Sequence, residues 1–411
     1  MMPANTTVTF HNRQHSQVEG QPVRIDFFFA ERSMPIVVGQ DVHLQCVEFC
    51  AQRNPDLLFF IADSHVWNLH GKEIVSRYGY HFPIESVLVE PSEQCKTLEL
   101  VNRLLETAMT AGVTRRSIII ALGGGLTGNI AGMVAGLLYR GLSLVHLPTS
   151  FLAMSDSILS LKQAVNGRGG KNLFGMYYLP AASFVSVNFL RTLPELELIA
   201  GINELIKNCL VFDAEHIEIL LSLINQPQSC STWMQLVILG IEAKQKLLLH
   251  DPNERNIGIS LEYGHTVGHA LEYQGYGLSH GIAVGLGMLV AAAISFKRGW
   301  LSEQEYWLHY ELIYSVNGHL QFPQNLDLDT TLNIIRKDNK HGYLTLSKDQ
   351  HPFVLLRSIG RVELTEGKPL VGVREDEIIA ALEQARRDAG NTFRRETVSK
   401  RIYGTEKLFD V

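Results

Sequence analysis

Hydrophobic and polar positions change rhythm near residue 190. Before it, short apolar runs rich in β-branched residues alternate with helical spacings. Leu57–Ala62 (LLFFIA), ending at Asp63, reads as a buried strand, and Ser86–Val89 as a weaker one. Leu98–Ala111 has helical spacing, Ser117–Leu122 (SIIIAL) is a strongly β-branched strand, and a helix is expected at about Ile130–Leu138. Strands follow at Leu142–Leu147, closed by Pro148, and at Phe184–Val187. This order predicts an α/β fold with a parallel sheet and helices on both faces. After residue 190, long helical periods dominate: Pro194–Leu210, Glu215–Ile224, Trp233–His250, His265–Tyr273 and Gly281–Arg298. The second half is therefore expected to be mainly α-helical, with a short β-like patch at Tyr343–Leu346 and Phe353–Leu356. Four segments follow: a polar arm over 1–24, an α/β domain over 25–190, a helical domain over 191–384 and a charged tail over 385–411.

Composition narrows the function. At 411 residues and 46% apolar, the chain can bury two real cores. A net charge of −6 argues against nucleic acid, whose phosphates call for a basic face. The five cysteines are odd in number and form no C-x-x-C pair, so neither a disulfide scaffold nor a thiolate zinc site is expected. The start is polar, with no apolar signal region. The richest apolar run, Gly285–Phe296, stops near a dozen residues and reads as a core helix, not a membrane span. A cytoplasmic protein is expected, with neither a membrane nor a nucleic-acid partner.

Three stretches carry candidate chemistry. Gly123-Gly124-Gly125-Leu126-Thr127-Gly128 fits G-x-G-x-x-G between a strand and a helix. Glycines there let backbone N–H groups approach a pyrophosphate, with Asn129 opening the helix beyond. No acidic residue follows the next strand, which ends in Pro148-Thr149-Ser150, so the usual ribose contact is missing; a tight turn without a ligand is the plain alternative. The second stretch, Glu262-Tyr-Gly-His265-Thr-Val-Gly-His269, places two imidazoles on one helical face, with His280 close behind. Spacing does not decide which of these histidines bind a metal. Upstream, Glu204 in GINELIKN is either a further ligand or the partner of Lys207. The third stretch gathers Asp156, Lys162, Asn166, Lys171 and Asn172 among glycines and aromatic residues. It is either an exposed loop or a pocket for an anionic, hydroxyl-rich ligand, since lysines suit phosphate.

In order along residues 55–360, PSEQCKTLELV, GGGLTGNIAGMVAGLLYRG, PTSFLAMSDSILSLKQAVN, GKNLFGMYY, LRTLPELELIAGINELIKN, LEYGHTVGHALE, SHGIAVGLGM and KDNKHGY together resemble the dehydroquinate synthase-like sugar-phosphate cyclases. The resemblance implies an N-terminal Rossmann-like NAD-binding α/β domain, a C-terminal mainly α-helical metal-binding domain, an active site in the cleft between them, and a homodimer. It implies one divalent metal, zinc or cobalt, on Glu204, His265 and His280, which moves His269 to the substrate phosphate. Asp63, Glu93, Lys96, Gly125, Thr149, Ser150, Asp156 and Lys171 match positions that hold NAD, beside Gly124, Gly128 and Asn129 of the glycine turn. Lys162, Asn172, Lys207, Lys244 and Lys340 match positions that contact substrate or phosphate. Arg140 matches an arginine that reaches the phosphate across the dimer interface.

Departures from dehydroquinate synthase itself are informative. Asn129 replaces an Asp, Gln163 a Thr, Glu262 an Asn, and Gly258 an Arg. A guanidinium is the natural clamp for a substrate carboxylate. Losing it and gaining Glu262 disfavours a heptulosonate and suits a neutral aldose phosphate, such as glucose 6-phosphate. The alternatives are the heptulosonate and sedoheptulose phosphate cyclases and, from another class, a metal-dependent NAD alcohol dehydrogenase. The family chemistry implies transient oxidation at C4 against a recycled NAD, loss of phosphate from C6, re-reduction and intramolecular aldol closure. Glu262 is the candidate acid/base, with support of His265 as its other possible role.

Overall fold

The computed structural model describes residues 21–317 and 320–392. The first half runs β1 (Val23–Phe29), β2 (Arg32–Gly39), α1 (His43–Ala51), β3 (Leu58–Asp63), α2 (Ser64–Gly79), β4 (Ile84–Val89), α3 (Leu98–Thr110), β5 (Ile118–Gly123), α4 (Gly125–Leu137), β6 (Ser143–Pro148) and α5 (Phe151–Ser155). A hairpin of β7 (Lys162–Gly167) and β8 (Gly170–Tyr177) then leads to β9 (Ala182–Ser186). Seven strands make one sheet in the order β1-β2-β9-β6-β5-β3-β4. Only the β1–β2 pair is antiparallel. Strands β3 and β5 are buried along their whole length, which is why they read as unbroken apolar runs. Alternate residues face opposite layers. Leu58, Phe60, Ile120 and Leu122 join the large core shared with the helical half, whereas Phe59, Ile61, Ile119 and Ala121 pack with Leu104, Ile130 and Val134.

The second half is helical: α6 (Glu195–Phe212), α7 (Ile217–Ile224), α8 (Cys230–Leu248), α9 (His265–Tyr273), α10 (His280–Lys297), α11 (Glu303–Val316) and α12 (Leu328–Ile335). It closes with four short strands, β10 (Gln350–Phe353), β11 (Leu356–Ser358), β12 (Arg361–Val362) and β13 (Val371–Arg374), and with α13 (Glu375–Thr392).

Several expectations change. Helix α4 begins at Gly125, five residues before the apolar spacing suggests, because its first turn, Gly-Leu-Thr-Gly, holds one apolar side chain and so shows no period. The segment 343–346 is not a strand; β10 pairs with β13 and β11 with β12, and the exposed Tyr343 lies outside both. The polar arm gives way to β1 at Val23. Helix α13 runs through residue 385 to Thr392, so the first residues of the charged tail are helical. Its buried face is Ile378, Ala381, Leu382, Ala385 and Ala389, a stripe written mostly in alanines and hidden among charges. Residues 1–20 and 393–411 lie outside the described residues. Helix α10 falls within one residue of the expected Gly281–Arg298; its eighteen residues are long and apolar enough to cross a membrane, but 83% of it is buried inside the protein, as a core helix should be.

Candidate active site

From β3 the chain steps outward to β4 and returns on the other side of β3 as β5. The carboxyl ends of β3 and β5 therefore face a topological switch point, where open α/β sheets bind their ligands. Asp63 ends one strand and Gly123 the other, and α4 starts immediately beyond with Gly124 as its N-cap. A narrow cleft opens there, lined by Gly123, Gly124, Gly125, Gly128, Asn129 and Ser157 among others. A Cβ on Gly125 would stand 2.9 Å from Ser157 Oγ, so the turn stays narrow and its backbone accessible. Asp63 Oδ1 accepts from the backbone N–H groups of His65 (2.8 Å) and Val66 (3.1 Å), capping α2 at the cleft edge. Ser150 caps α5 in the same way, and Thr149 N–H bonds the Gly123 carbonyl (3.0 Å). Asn129 is engaged at both ends of its amide, donating to the Gly125 carbonyl (2.8 Å) and accepting from Ala164 N–H (3.0 Å).

The lysine and amide string becomes the β7–β8 hairpin beside this cleft. Buried Lys96 donates to Asn172 Oδ1 (2.6 Å). Asn172, at φ +57°, gives its N–H to Asn166 Oδ1 (2.9 Å), and Asn166 Nδ2 bonds Glu93 Oε1 (2.9 Å). Glu93, Lys96, Asn166 and Asn172 thus form one network. Lys171 turns away from it and pairs with Glu272 on α9 (3.2 Å).

The helical half supplies a second centre where α6, α9 and α10 meet. Gly264, at φ +79°, starts α9, and a Cβ there would lie 2.6 Å from Met288 Cγ on α10. Added Cβ atoms on Gly287 and Gly281 would run into the Gly264 and Ala200 carbonyls. The motif glycines therefore let three helices touch through their main chains, and this brings their ligating side chains together. His265 Nε2 and His280 Nε2 lie 3.8 and 3.7 Å from Glu204 Oε1. That oxygen is buried and takes no hydrogen bond among the described residues, whereas Oε2 accepts from Lys207 (2.5 Å). Each imidazole is oriented from behind: His265 Nδ1 by the Tyr263 carbonyl (3.2 Å), His280 Nδ1 by Glu272 Oε2 (2.9 Å). Burial holds His265 down to about 4, leaving its Nε2 lone pair free at neutral pH. One orphan carboxylate oxygen and two converging nitrogens fit a zinc or cobalt ion. His269 also belongs to the cluster, since ligand atoms of the three imidazoles all lie within 4.8 Å of one another, and its Nδ1 looks toward Asp338 (4.0 Å).

Carboxylates and lysines line the remaining walls. Lys340, buried, bonds Asp338 (2.8 Å) and Glu262 Oε2 (3.3 Å). Burial works against an ionised Glu262, but His265, Lys340 and His269 outweigh it and hold its carboxyl far below the usual range. Lys244 donates to Asp156 Oδ1 (2.6 Å), and Asn208 to its other oxygen (2.9 Å). Burial opposes the Asp156 charge too, yet Lys244 and Lys207 bring it down to about 2. Lys162 bonds Glu254 Oε2 (2.8 Å), whose Oε1 accepts from Ser160 (2.7 Å). A Cβ at Gly258 would stand 2.8 Å from Glu254 Cβ and 3.0 Å from Asp251 Oδ2, so the space where a side chain would leave this position is already filled. Arg140, exposed and at φ +69°, stands at the far end of α4. Glu254, Glu272, Asp338 and Asn208 escaped the sequence reading. Each lies one to eight residues from a predicted site residue, but only the fold shows which group it meets: a lysine for Glu254 and Asp338, an imidazole and a lysine for Glu272, and Asp156 for Asn208.

Comparisons with known proteins agree with this arrangement. Models of the 3-dehydroquinate synthase N-terminal and C-terminal regions match residues 86–200 and 201–341. The 2-deoxy-scyllo-inosose synthase of Micromonospora echinospora is 40% identical over 342 residues, 82% of this chain and 86% of that protein. That of Streptomyces kanamyceticus is 39% identical over 330 residues, 79% of this chain and 84% of that one. A crystal structure of 2-deoxy-scyllo-inosose synthase with carbaglucose-6-phosphate, NAD+ and Co2+ superposes with a TM-score of 0.82 at 34% identity, covering 89% of this chain and all of that one.

Proposed function

The chain belongs to the 3-dehydroquinate synthase family of sugar-phosphate cyclases, and from that premise we propose that it converts glucose 6-phosphate into 2-deoxy-scyllo-inosose. The observation that carries the substrate is the crowding of Gly258 by Glu254. Gly258 offers no guanidinium to clamp a substrate carboxylate, the space beside it is filled by Glu254 and Asp251, and the negative charge of Glu262 would repel such a group. NAD+ would lie along Gly124, Gly125, Gly128 and Asn129 at the switch point, reached by Asp63, Glu93, Lys96, Thr149, Ser150, Asp156 and Lys171. A single zinc or cobalt ion would be held by Glu204, His265 and His280. When bound, the dinucleotide supplies a reversible hydride acceptor and the ion a Lewis acid.

The chain's own groups do the rest. Glu262, kept ionised beside Lys340, accepts a proton from the sugar and returns it later in the cycle. Lys207 compensates the charge of Glu204. Lys340 and His269 hold the phosphate end, while Lys162, Asn172 and Lys244 hold hydroxyls and the departing phosphate. In a homodimer, Arg140 of one protomer extends toward the phosphate bound by the other. This enzyme works in the cytoplasm, with the sugar phosphate as its small-molecule partner.

Incubation with glucose 6-phosphate, trace NAD+ and Co2+, followed by NMR, tests the reading. Release of phosphate together with the carbocycle, without net NADH, is expected. Turnover of a heptulose phosphate in its place would leave the family standing and overturn the substrate; stoichiometric NADH release would identify an alcohol dehydrogenase.

A further inference from the structure

Glu272 stands between two parts of the site. Its Oε2 accepts from His280 Nδ1 (2.9 Å), whose other ring nitrogen faces Glu204, and its Oε1 accepts from Lys171 Nζ (3.2 Å). One carboxylate on α9 therefore grips a metal-site imidazole on α10 and a lysine on the β7–β8 hairpin. The two bonds compete. A cation on one oxygen draws charge from the carboxylate and weakens its pull on the imidazole proton, making that imidazole a poorer donor to an ion. Lys171 is 62% exposed, so its ion pair is weak and readily exchanged for another anion.

We propose that Glu272 couples cofactor occupancy to metal occupancy: a dinucleotide that draws Lys171 away frees Glu272 to hold His280 more strongly and so tightens the divalent ion. The inference rests on the NAD reading above. By linkage, the ion tightens the dinucleotide by the same factor.

The test is a titration of the metal-free, full-length protein with Co2+, followed by visible absorbance, with and without saturating NAD+. Wild type, Lys171→Met, Glu272→Gln and the double variant are compared. Lys171→Met is expected to bind cobalt roughly 3–10-fold tighter than wild type, the scale of one weak ion pair. NAD+ should tighten the wild type by a similar factor and leave Lys171→Met unchanged. Glu272→Gln should bind cobalt about 10–100-fold more weakly and respond to neither change. Should that variant fail to fold, wild type against Lys171→Met, each with and without NAD+, still decides. Tightening by Lys171→Met that persists undiminished beside Glu272→Gln would mean direct repulsion of the ion and would overturn the role of Glu272. NAD+ binding, read by tryptophan fluorescence, with no change in cobalt affinity sinks the coupling alone; no NAD+ binding sinks the cofactor reading with it.

Discussion

Glu262 sits between the buried ammonium of Lys340 and the imidazoles of His265 and His269, and these surroundings keep it ionised despite burial. Glu262→Gln keeps the shape and the Lys340 contact but removes the proton acceptor. Turnover should fall by about 10²-fold or more, with the melting temperature and NAD+ affinity unchanged. Near-normal turnover would reassign the residue to support of His265. Gly264 makes a different demand, since it combines φ +79° with a Cβ position already occupied by Met288. Gly264→Ala should cost roughly 3 kcal/mol by strain and overpacking together. Because the displaced helix carries His265, cobalt affinity should fall in the same variant, which calorimetry and a metal titration would read side by side.

Among the elements, α13 is the one whose contribution is least apparent. It packs on α10 through Leu382 and buried alanines, away from the chemistry. Leu382→Ala should therefore lower stability by about 3 kcal/mol in urea titrations while leaving the KM for the sugar phosphate unchanged. A changed KM with unchanged stability would mean that α13 reaches the cleft. The same helix shows why parts of the fold were hard to read in advance. Strands β3 and β5 declared themselves because both faces are buried and every position is apolar; α13 did not, because alanines fill its buried stripe and charges surround it. The β7–β8 hairpin reads as a loop since β8 is exposed almost throughout, so no face alternates. Within the site, the glycine turn and the histidine spacing were visible as local patterns. Glu254 and Glu272 were not, because each reaches its lysine, Lys162 or Lys171, across at least 92 residues of chain.

For the molecule as a whole, acid should act early. Burial pushes His146 and His309 down to about 4, from an ordinary value of 6.5. His309 is fixed neutral by the Glu305 carbonyl on one nitrogen and the Tyr263 hydroxyl on the other. The unfolded chain takes up these protons near pH 6.5, whereas the folded chain refuses them until about 4. Stability is thus full above pH 6.5 and declines between 6.5 and 4, by at most about 3 kcal/mol for each histidine. A urea midpoint that stays flat from pH 7.5 to 5 would contradict this. Assembly offers a separate check. If Arg140 completes the partner's site, inactive Arg140→Ala and Glu262→Gln proteins, mixed and reassembled, should regain about a quarter of wild-type activity, since half the dimers would be mixed and each would own one whole site; no recovery would place Arg140 outside the site. The contact of α9 and α10 through bare main chain has a further consequence, for descent. The floor that would hold the ion takes its spacing from glycines and peptide groups, whereas the rim that sorts substrates is made of replaceable carboxylates. A lineage can therefore exchange the sugar it cyclises by a few substitutions at positions such as 254, 258 and 262, and hand on the metal-holding floor intact.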